Sequence, residues 1–365
     1  MINVTKPNLP PLEEFVPMLE SIWQSGVLSN NGPYHTLLEQ SLVEYLGVDH
    51  VSLVSNATLG LMLAQYVLEI RNAEIITTPY SFVATTNSIL WMNNTPVFVD
   101  IEPDSACLDP ELIEAAVTER TRAIMPLHCY GNMVNVQALE DIAERHELHI
   151  IYDACHSFGV EDLGGSALRH GDMSVVSFHA TKVFNTFEGG LIVSESAELK
   201  EKVDRAKNFG FVDEETITLP GINAKLNEPA AAFGLLQLKY LDEYFSSRAA
   251  LDAAYRQRMT AVPGIEPVAT VRQVKRNYAY FPVVIGDSFR LTRDELVAAL
   301  KKEGINCRKY FYPLIPNFQC FEREFGQKGH WPVAERLASQ ILCLPIYPEM
   351  TLAQCHAICD AIQSG

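Results

Sequence analysis

The sequence predicts an α/β protein, with a large domain built on a predominantly parallel sheet between helices and a smaller C-terminal α+β domain. Three observations carry this. Short apolar runs at 51–54, 74–77, 97–100, 123–126 and 149–153 alternate with helical patterns, the rhythm of strand–helix–strand units whose sheet is covered on both faces. After Pro263-Gly264 that rhythm is lost and strands and helices are mixed differently. Although 48% of the 365 residues are hydrophobic, no uninterrupted apolar run approaches the ~20 residues of a membrane helix. The length suits two domains. The large one is expected over 12–245 and the small one over 246–365, with the segment 1–11 packed near the site.

In chain order, residues 12–25 place Leu12, Phe15, Val16, Leu19, Ile22 and Trp23 at helical spacing and stop at Gly26, a C-cap signal. Asn30-Asn31-Gly32-Pro33 predicts a turn, and 34–46 a second helix closed by Gly47. The first four apolar runs are each followed by a helical pattern, over 58–68, 82–92, 110–117 and 136–146. Residues 173–178 and 190–193 read as two further strands. A helix spans 227–245, and a second helical segment, 248–259, continues or follows it. In the small domain 278–285 and 306–308 read as strands, and 292–302, 333–342 and 351–362 as helices. No internal repeat or low-complexity tract interrupts this pattern.

The formal charge of −17 argues against a nucleic-acid surface, which needs a net cationic face. It leaves room for one anionic ligand seated on helix N-termini. Eight cysteines are scattered without a Cys-x-x-Cys pair. Cys355 and Cys359 lie one helical turn apart around His356, but no second pair completes a tetrahedral metal site, so free, buried thiols are expected. The stretch 1–7 has neither a basic start nor an apolar segment, and the protein is expected in the cytoplasm.

Four places converge on the carboxyl ends of the strands, where ligands of such sheets bind. In Ser177-Phe178-His179-Ala180-Thr181-Lys182 a single lysine stands between two strands among small and aromatic side chains. Desolvation there should lower the pKa of Lys182 and supply the neutral amine that Schiff-base chemistry needs. Asp153 ends a buried strand in Tyr152-Asp153-Ala154-Cys155-His156, where a carboxylate must be paired or hydrogen-bonded. Ser55-Asn56-Ala57-Thr58-Leu59-Gly60 joins a strand to a helix and offers amides and a hydroxyl to a phosphate. Phe82 lies just beyond a strand end, where its ring can stack on a planar group. Each has an ordinary alternative: a surface turn, a helix cap, a Ser/Thr cap, a core aromatic. No Gly-x-Gly-x-x-Gly or Walker-type loop is present. As a set, the four match the needs of pyridoxal 5'-phosphate, whose protonated ring acts as an electron sink.

At these residues the sequence resembles the DegT/StrS-type nucleotide-sugar aminotransferases, of the aspartate aminotransferase-like fold type I. The resemblance covers essentially the whole chain. Its most specific parts are Asp153-Ala154-Cys155-His156, the segment 177–182 with Glu188-Gly189-Gly190 behind it, and Gly221-Ile222-Asn223-Ala224-Lys225-Leu226-Asn227-Glu228. It implies that Lys182 carries the cofactor, that Asp153 faces the ring nitrogen, and that His156 lies against the cofactor at its phenolic oxygen. Ala57, Thr58 and Ser177 would bind its phosphate, and Phe82 would stack on it. Asn223, with Lys225 and Asn227 as competitors, would reach the partner subunit's cofactor phosphate in a homodimer. His179 and the loop Arg308-Lys309-Tyr310-Phe311-Tyr312-Pro313 would meet the substrate. Relatives with histidine in place of the lysine dehydrate deoxysugars; lysine at 182 implies a transaminase. Ala57-Thr58 replaces the common Gly-Thr, a mild change because amides and the hydroxyl do the binding.

The implied reaction is a two-step transfer of an amino group from glutamate to a nucleotide-linked keto sugar. Within the family the pattern resembles members that convert dTDP-4-keto-6-deoxy-D-glucose to dTDP-4-amino-4,6-dideoxy-D-glucose for surface polysaccharide such as O-antigen lipopolysaccharide. Carbon-3 amination and UDP-linked sugars stay open at this point. So do a non-catalytic cofactor- or sugar-binding regulator and a dehydratase.

Overall fold

A computed structural model describes residues 1–321 and 329–364. In chain order it runs β1 (Ile2–Asn3), α1 (Leu12–Ser25), α2 (Pro33–Leu46), β2 (Val51–Val54), α3 (Ala57–Val67), β3 (Glu74–Thr77), α4 (Val83–Trp91), β4 (Thr95–Phe98), β5 (Thr121–Ile124), α5 (Val136–His146) and β6 (His149–Asp153). A small hairpin, β7 (Glu161–Asp162) and β8 (Gly165–Ser166), precedes β9 (Met173–Ser177), β10 (Gly190–Ser194), α6 (Ala197–Ala206) and α7 (Glu228–Met259). The chain ends with β11 (Ile265–Pro267), β12 (Phe281–Ile285), α8 (Arg293–Lys302), β13 (Ile305–Asn306), α9 (Pro332–Gln340), β14 (Ile341–Leu344) and α10 (Leu352–Ser364).

Seven strands form the central sheet in the order β2-β10-β9-β6-β5-β3-β4, with β10 antiparallel to both neighbours and every other pair parallel. The fold is therefore the mostly parallel mixed sheet that the sequence predicts. Its strands read as unbroken apolar runs because both faces are covered. Leu53, Ile76, Ile124, Ile150, Tyr152, Val176 and Leu191 enter one core. Their neighbours Val54, Ile75, Ala123, Ile151, Val175 and Ile192 enter a second core on the other face. Gly60 on α3 packs so closely on the sheet that a Cβ there would meet Val175 Cγ1 at 2.8 Å.

A second, antiparallel sheet in the order β11-β12-β14 packs on a core of its own around Tyr255, Phe281, Leu296 and Leu342. β1 pairs with β13, so the first residues of the chain join it. Beyond β1, Asn8 donates to the carbonyl of Val183 at 2.9 Å, which brings the N-terminal segment against the loop that carries Lys182.

Several local expectations are corrected. Residues 110–117 form two short 3₁₀ turns, Pro110–Leu112 and Glu114–Ala116, a segment too short to offset the cost of nucleating an α-helix. Of the two arrangements left open for 227–245 and 248–259, the second segment continues the first as one helix, α7, which runs through position 246 and contributes to two cores. The apolar run Ile341–Leu344 is a strand, not the end of a helix, because it pairs with β12. The strand expected from 278 starts at Phe281: Tyr278 has a left-handed backbone (φ 52), and Asn277 ties the turn to the carbonyls of His156 and Phe158. Only β13 forms in the stretch near 306–308, with Arg308 making a single bridge to Cys343. Charged α6, capped by Ser196, is not anticipated by any apolar pattern.

Candidate active site

The carboxyl ends of β2, β3, β5, β6 and β9 open into a cavity of about 310 Å³. Because β10 runs the other way, its first residue, Gly190, arrives at the same edge opposite Val54. A Cβ on Gly190 would lie 2.9 Å from the amide nitrogen of Ala57 and 3.0 Å from the carbonyl of Val176. Glycine is what lets the start of α3 sit down on the sheet.

Ala57, Thr58, Phe82, Asp153, His156, Ser177, His179, Lys182 and Tyr310 all line this one cavity. Asn56 caps α3, its side chain accepting from the amide of Leu59 at 2.9 Å. The first-turn amides of Ala57 and Thr58 belong to the set that a helix leaves without internal partners, beside Thr58 Oγ1. Ser177 ends β9, and its hydroxyl accepts from the amide of His179 at 3.3 Å. The ring of Phe82, at the N-cap of α4, is 60% exposed on the cavity wall, unlike a core aromatic.

Asp153 is buried at the end of β6. Its Oδ2 accepts from Thr85 Oγ1 at 2.7 Å and its Oδ1 from the amide of Cys155 at 3.2 Å. Thr85 Oγ1 is 2.6 Å from Ser81 Oγ. A carboxylate only accepts, so the chain of donors runs from Ser81 to Thr85 to Asp153. Among the described residues no Lys, Arg or His nitrogen lies within 4.0 Å of this carboxylate. A buried charge held by neutral donors but lacking a cation suits a ligand that brings one, as a protonated pyridine does.

Lys182 Nζ lies 3.2 Å from the hydroxyl of Tyr280. The sequence-based expectation of a lowered pKa is overturned for the free amine. Burial, the largest single influence, does pull it down. Tyr280, Cys155 and Asp153 together outweigh it, and the pKa is raised.

His156 is buried, and its Nδ1 accepts from the amide of Tyr130 at 3.1 Å. Burial and the nearby Lys182 push its pKa well below the usual imidazole range. It is neutral with its proton on Nε2, which leaves a hydrogen-bond donor for the cavity. The rings of Tyr130 and Phe311 lie within 6° of parallel to it.

His179 is tied to Thr181 Oγ1 at 2.8 Å and lies 3.7 Å from Glu188, which also lines the cavity. Of the loop 308–310, Tyr310 alone reaches the cavity. Arg308 stacks over the Tyr310 ring at 5.5 Å, and Lys309 turns away to Asp294 at 2.6 Å. Asn223 is exposed and bridges Asn208, outside this chain's own cavity. Lys225 bonds to Asn208 Oδ1 at 2.7 Å, and Asn227 caps α7. Phe311, within the loop 308–313 expected at the substrate, also lines the cavity; sequence reasoning missed Thr85 and Tyr280 as wall or support, and only Thr85, one turn past Phe82, carried a local signal. A larger cleft of about 620 Å³ over Asp109, Arg145 and Arg272 contains none of the predicted residues, and both arginines there are paired with Glu114 and Glu102. No helix among the described residues is long and apolar enough to cross a membrane. Of the cysteines, five are buried, but Cys320 is exposed.

Fold and site together define a pyridoxal phosphate-dependent enzyme of the aspartate aminotransferase-like class. Comparison with known proteins places it more closely. Residues 12–363 match the DegT/DnrJ/EryC1/StrS aminotransferase family. Two curated relatives are named dTDP-4-amino-4,6-dideoxy-D-glucose transaminase: one from Shigella dysenteriae, 51% identical over 96% of this chain and 95% of its own, and one from Escherichia coli, 46% identical over 96% and 94%. Among solved structures, DesI in the presence of its TDP-sugar product superposes with a TM-score of 0.94 at 33% identity, covering 99% of this chain and 92% of that one. The chain belongs to the DegT/DnrJ/EryC1/StrS aminotransferase family and is a transaminase that uses pyridoxal phosphate.

Proposed function

We propose that this transaminase moves the amino group of L-glutamate to carbon 4 of dTDP-4-keto-6-deoxy-D-glucose, giving dTDP-4-amino-4,6-dideoxy-D-glucose. The observation that carries this is the 51% identity, over 96% of the chain, to a transaminase named for that product. The assembled cavity supports it, since Ala57, Thr58, Phe82, Asp153, His156, Ser177 and Lys182 line its walls together. The same reading makes the enzyme a cytoplasmic homodimer that supplies surface polysaccharide. The exposed Asn223 segment would complete the partner subunit's site, and the Tyr310 loop and His179 would meet the sugar nucleotide.

When bound, pyridoxal phosphate supplies an aldehyde that amines add to and a ring that stores the charge left by proton removal. The protein does the rest. The amides of Ala57 and Thr58, with the hydroxyls of Thr58 and Ser177, would hold the phosphate at the positive end of α3. Phe82 would cover one face of the ring. Asp153, held in place by the Thr85 hydroxyl and the Cys155 amide, would face the ring nitrogen and pair with its proton. His156 would donate from Nε2 to the phenolic oxygen without adding charge. Lys182 Nζ would tether the cofactor through its aldehyde and, once an amino donor takes its place, would act as base and then acid for the proton of the donor's α-carbon. Leu127, Tyr280 and Phe311 wall the space against water.

The test is incubation with glutamate and a panel of dTDP- and UDP-linked keto sugars, with the new amine located by NMR. An amine at carbon 4 of the dTDP sugar is expected. Amination at carbon 3, or of UDP sugars alone, refutes the assignment.

A further inference from the structure

Tyr280 is 98 residues from Lys182 in sequence, yet among the described residues its hydroxyl is the sole side-chain hydrogen-bond partner of Lys182 Nζ. The backbone around it is fixed on both sides. Asn277 ties the preceding turn to the carbonyls of His156 and Phe158, and Phe281 next door pairs with Leu344 in the small-domain sheet. The ring is equally constrained. His156 lies against it with centroids 4.6 Å apart, Tyr130 at 5.8 Å, and Tyr310 edge-on at 6.0 Å. Lys182 Nζ is 5.9 Å from the ring centroid but 3.2 Å from the oxygen, so the hydroxyl, not the ring face, makes the contact.

We propose that Tyr280 is a positioning residue for Lys182, holding its released amine beside the reacting carbons while the proton is moved. The proposal rests on the transaminase reading. A phenol is suited to this task because it both donates and accepts. It accepts from the ammonium form of Lys182 and donates to the lone pair of the neutral amine, so the contact survives both protonation states. Without it, a four-carbon side chain with several free torsions has no polar anchor and must find the productive geometry unaided. Tyr280's position at the start of β12 also couples the amine's placement to the docking of the small domain.

The test is Tyr280→Phe, which keeps the ring and its three aromatic neighbours and removes only the hydroxyl. Holoenzyme is mixed with glutamate, and with glutamate deuterated at the α-carbon, and the cofactor absorbance is followed in a single half-reaction. Cofactor affinity and thermal midpoint are measured on the same samples. The expected result is a half-reaction slowed roughly tenfold or more, a primary isotope effect larger than in the unmodified enzyme, and little change in cofactor affinity or melting. An unchanged rate and isotope effect overturn the proposal. So does a loss that saturating glutamate or cofactor restores, because the residue then serves binding. The unmodified enzyme is the separate control for the reaction class: if glutamate fails to change its spectrum, the transaminase reading fails, whatever Tyr280→Phe does.

Discussion

Replacing Asp153 with Asn separates the charge of this side chain from its shape. Asn keeps one oxygen to accept from the Cys155 amide. Its NH₂ cannot accept from Thr85, but both hydroxyls in the chain are able to reverse: Thr85 then accepts from Asn and donates to Ser81. The variant should therefore fold, whereas Asp153→Ala would leave buried groups without partners. What is lost is one negative charge facing the ring nitrogen. Two unit charges in contact at an effective dielectric of about 20 attract by about 4 kcal/mol, which converts to roughly a thousandfold at about 1.4 kcal/mol per factor of ten. The assay is the single-turnover reaction with glutamate, followed by cofactor absorbance in enzyme shown by circular dichroism to be folded. The expected outcome is a half-reaction slower by about three orders of magnitude, with the cofactor still covalently held. A folded, cofactor-loaded variant within a factor of about ten of the unmodified enzyme would refute the role given to this carboxylate, because ten is far below what a buried charge contributes.

Lys182→Ala should abolish both the covalent cofactor absorbance and turnover; transamination at a comparable rate would show that another group does the chemistry. Phe82→Leu should weaken cofactor binding by three- to tenfold, about 1 kcal/mol of lost ring stacking. It should leave the melting temperature unchanged because the ring is 60% exposed, and equilibrium dialysis measures the first quantity and calorimetry the second. His35 supplies a pH-dependent prediction. Burial first, then the charge of Lys207, lowers its pKa to about 4, and among the described residues neither ring nitrogen has a hydrogen-bond partner. Above about pH 6.5 the ring is neutral folded or unfolded, and stability is unaffected. As pH falls from 6.5 toward 4 the unfolded chain takes up a proton that the native one refuses, and stability drops by on the order of 3 kcal/mol. His35→Leu should shift the acid-unfolding midpoint, read by tryptophan fluorescence, to lower pH.

How much of this was legible in the sequence depends on where each signal resides. The strands of the sheet were readable because doubly covered strands are continuous apolar runs, though several were placed about two residues late. Asp153, Ala57, Thr58, Phe82 and Lys182 were readable because ligand sites of parallel sheets gather at strand ends, which are local features. Tyr280 was not, since nothing near it in sequence says that the segment before β12 folds back over the cavity. Lys309 stands in a motif that resembles a substrate loop, and what its position in sequence did not reveal is the pairing of its ammonium with Asp294 on α8. Position 246 lies inside α7, whose buried stripe of Leu241, Phe245, Arg248, Asp252, Tyr255 and Met259 keeps one helical spacing as it passes from one core to the other.

The one electrostatic expectation that failed, for Lys182, shows why composition alone is a poor guide to pKa. Apolar neighbours do disfavour the ammonium, and burial is the largest single influence on it. The sign is decided by groups that the fold brings in from elsewhere: Tyr280 from the small domain, and Cys155 and Asp153 from the adjacent strand end. Asp153 raises the lysine's pKa only while its own charge is uncompensated, and a cation bound to that carboxylate would cancel part of the push. The same acid would thus serve the ring nitrogen directly and, once paired with it, would add less to the upward push on the amine. It follows that Asp153→Asn in the cofactor-free protein should lower the Lys182 pKa, because an upward influence is gone while burial remains. Isotope-labelled lysine followed by NMR against pH reads this without any reaction taking place. A Lys182 titration that stays at the same pH or moves upward in the variant would show that the carboxylate and the amine do not sense each other, and the coupling argued here would fall.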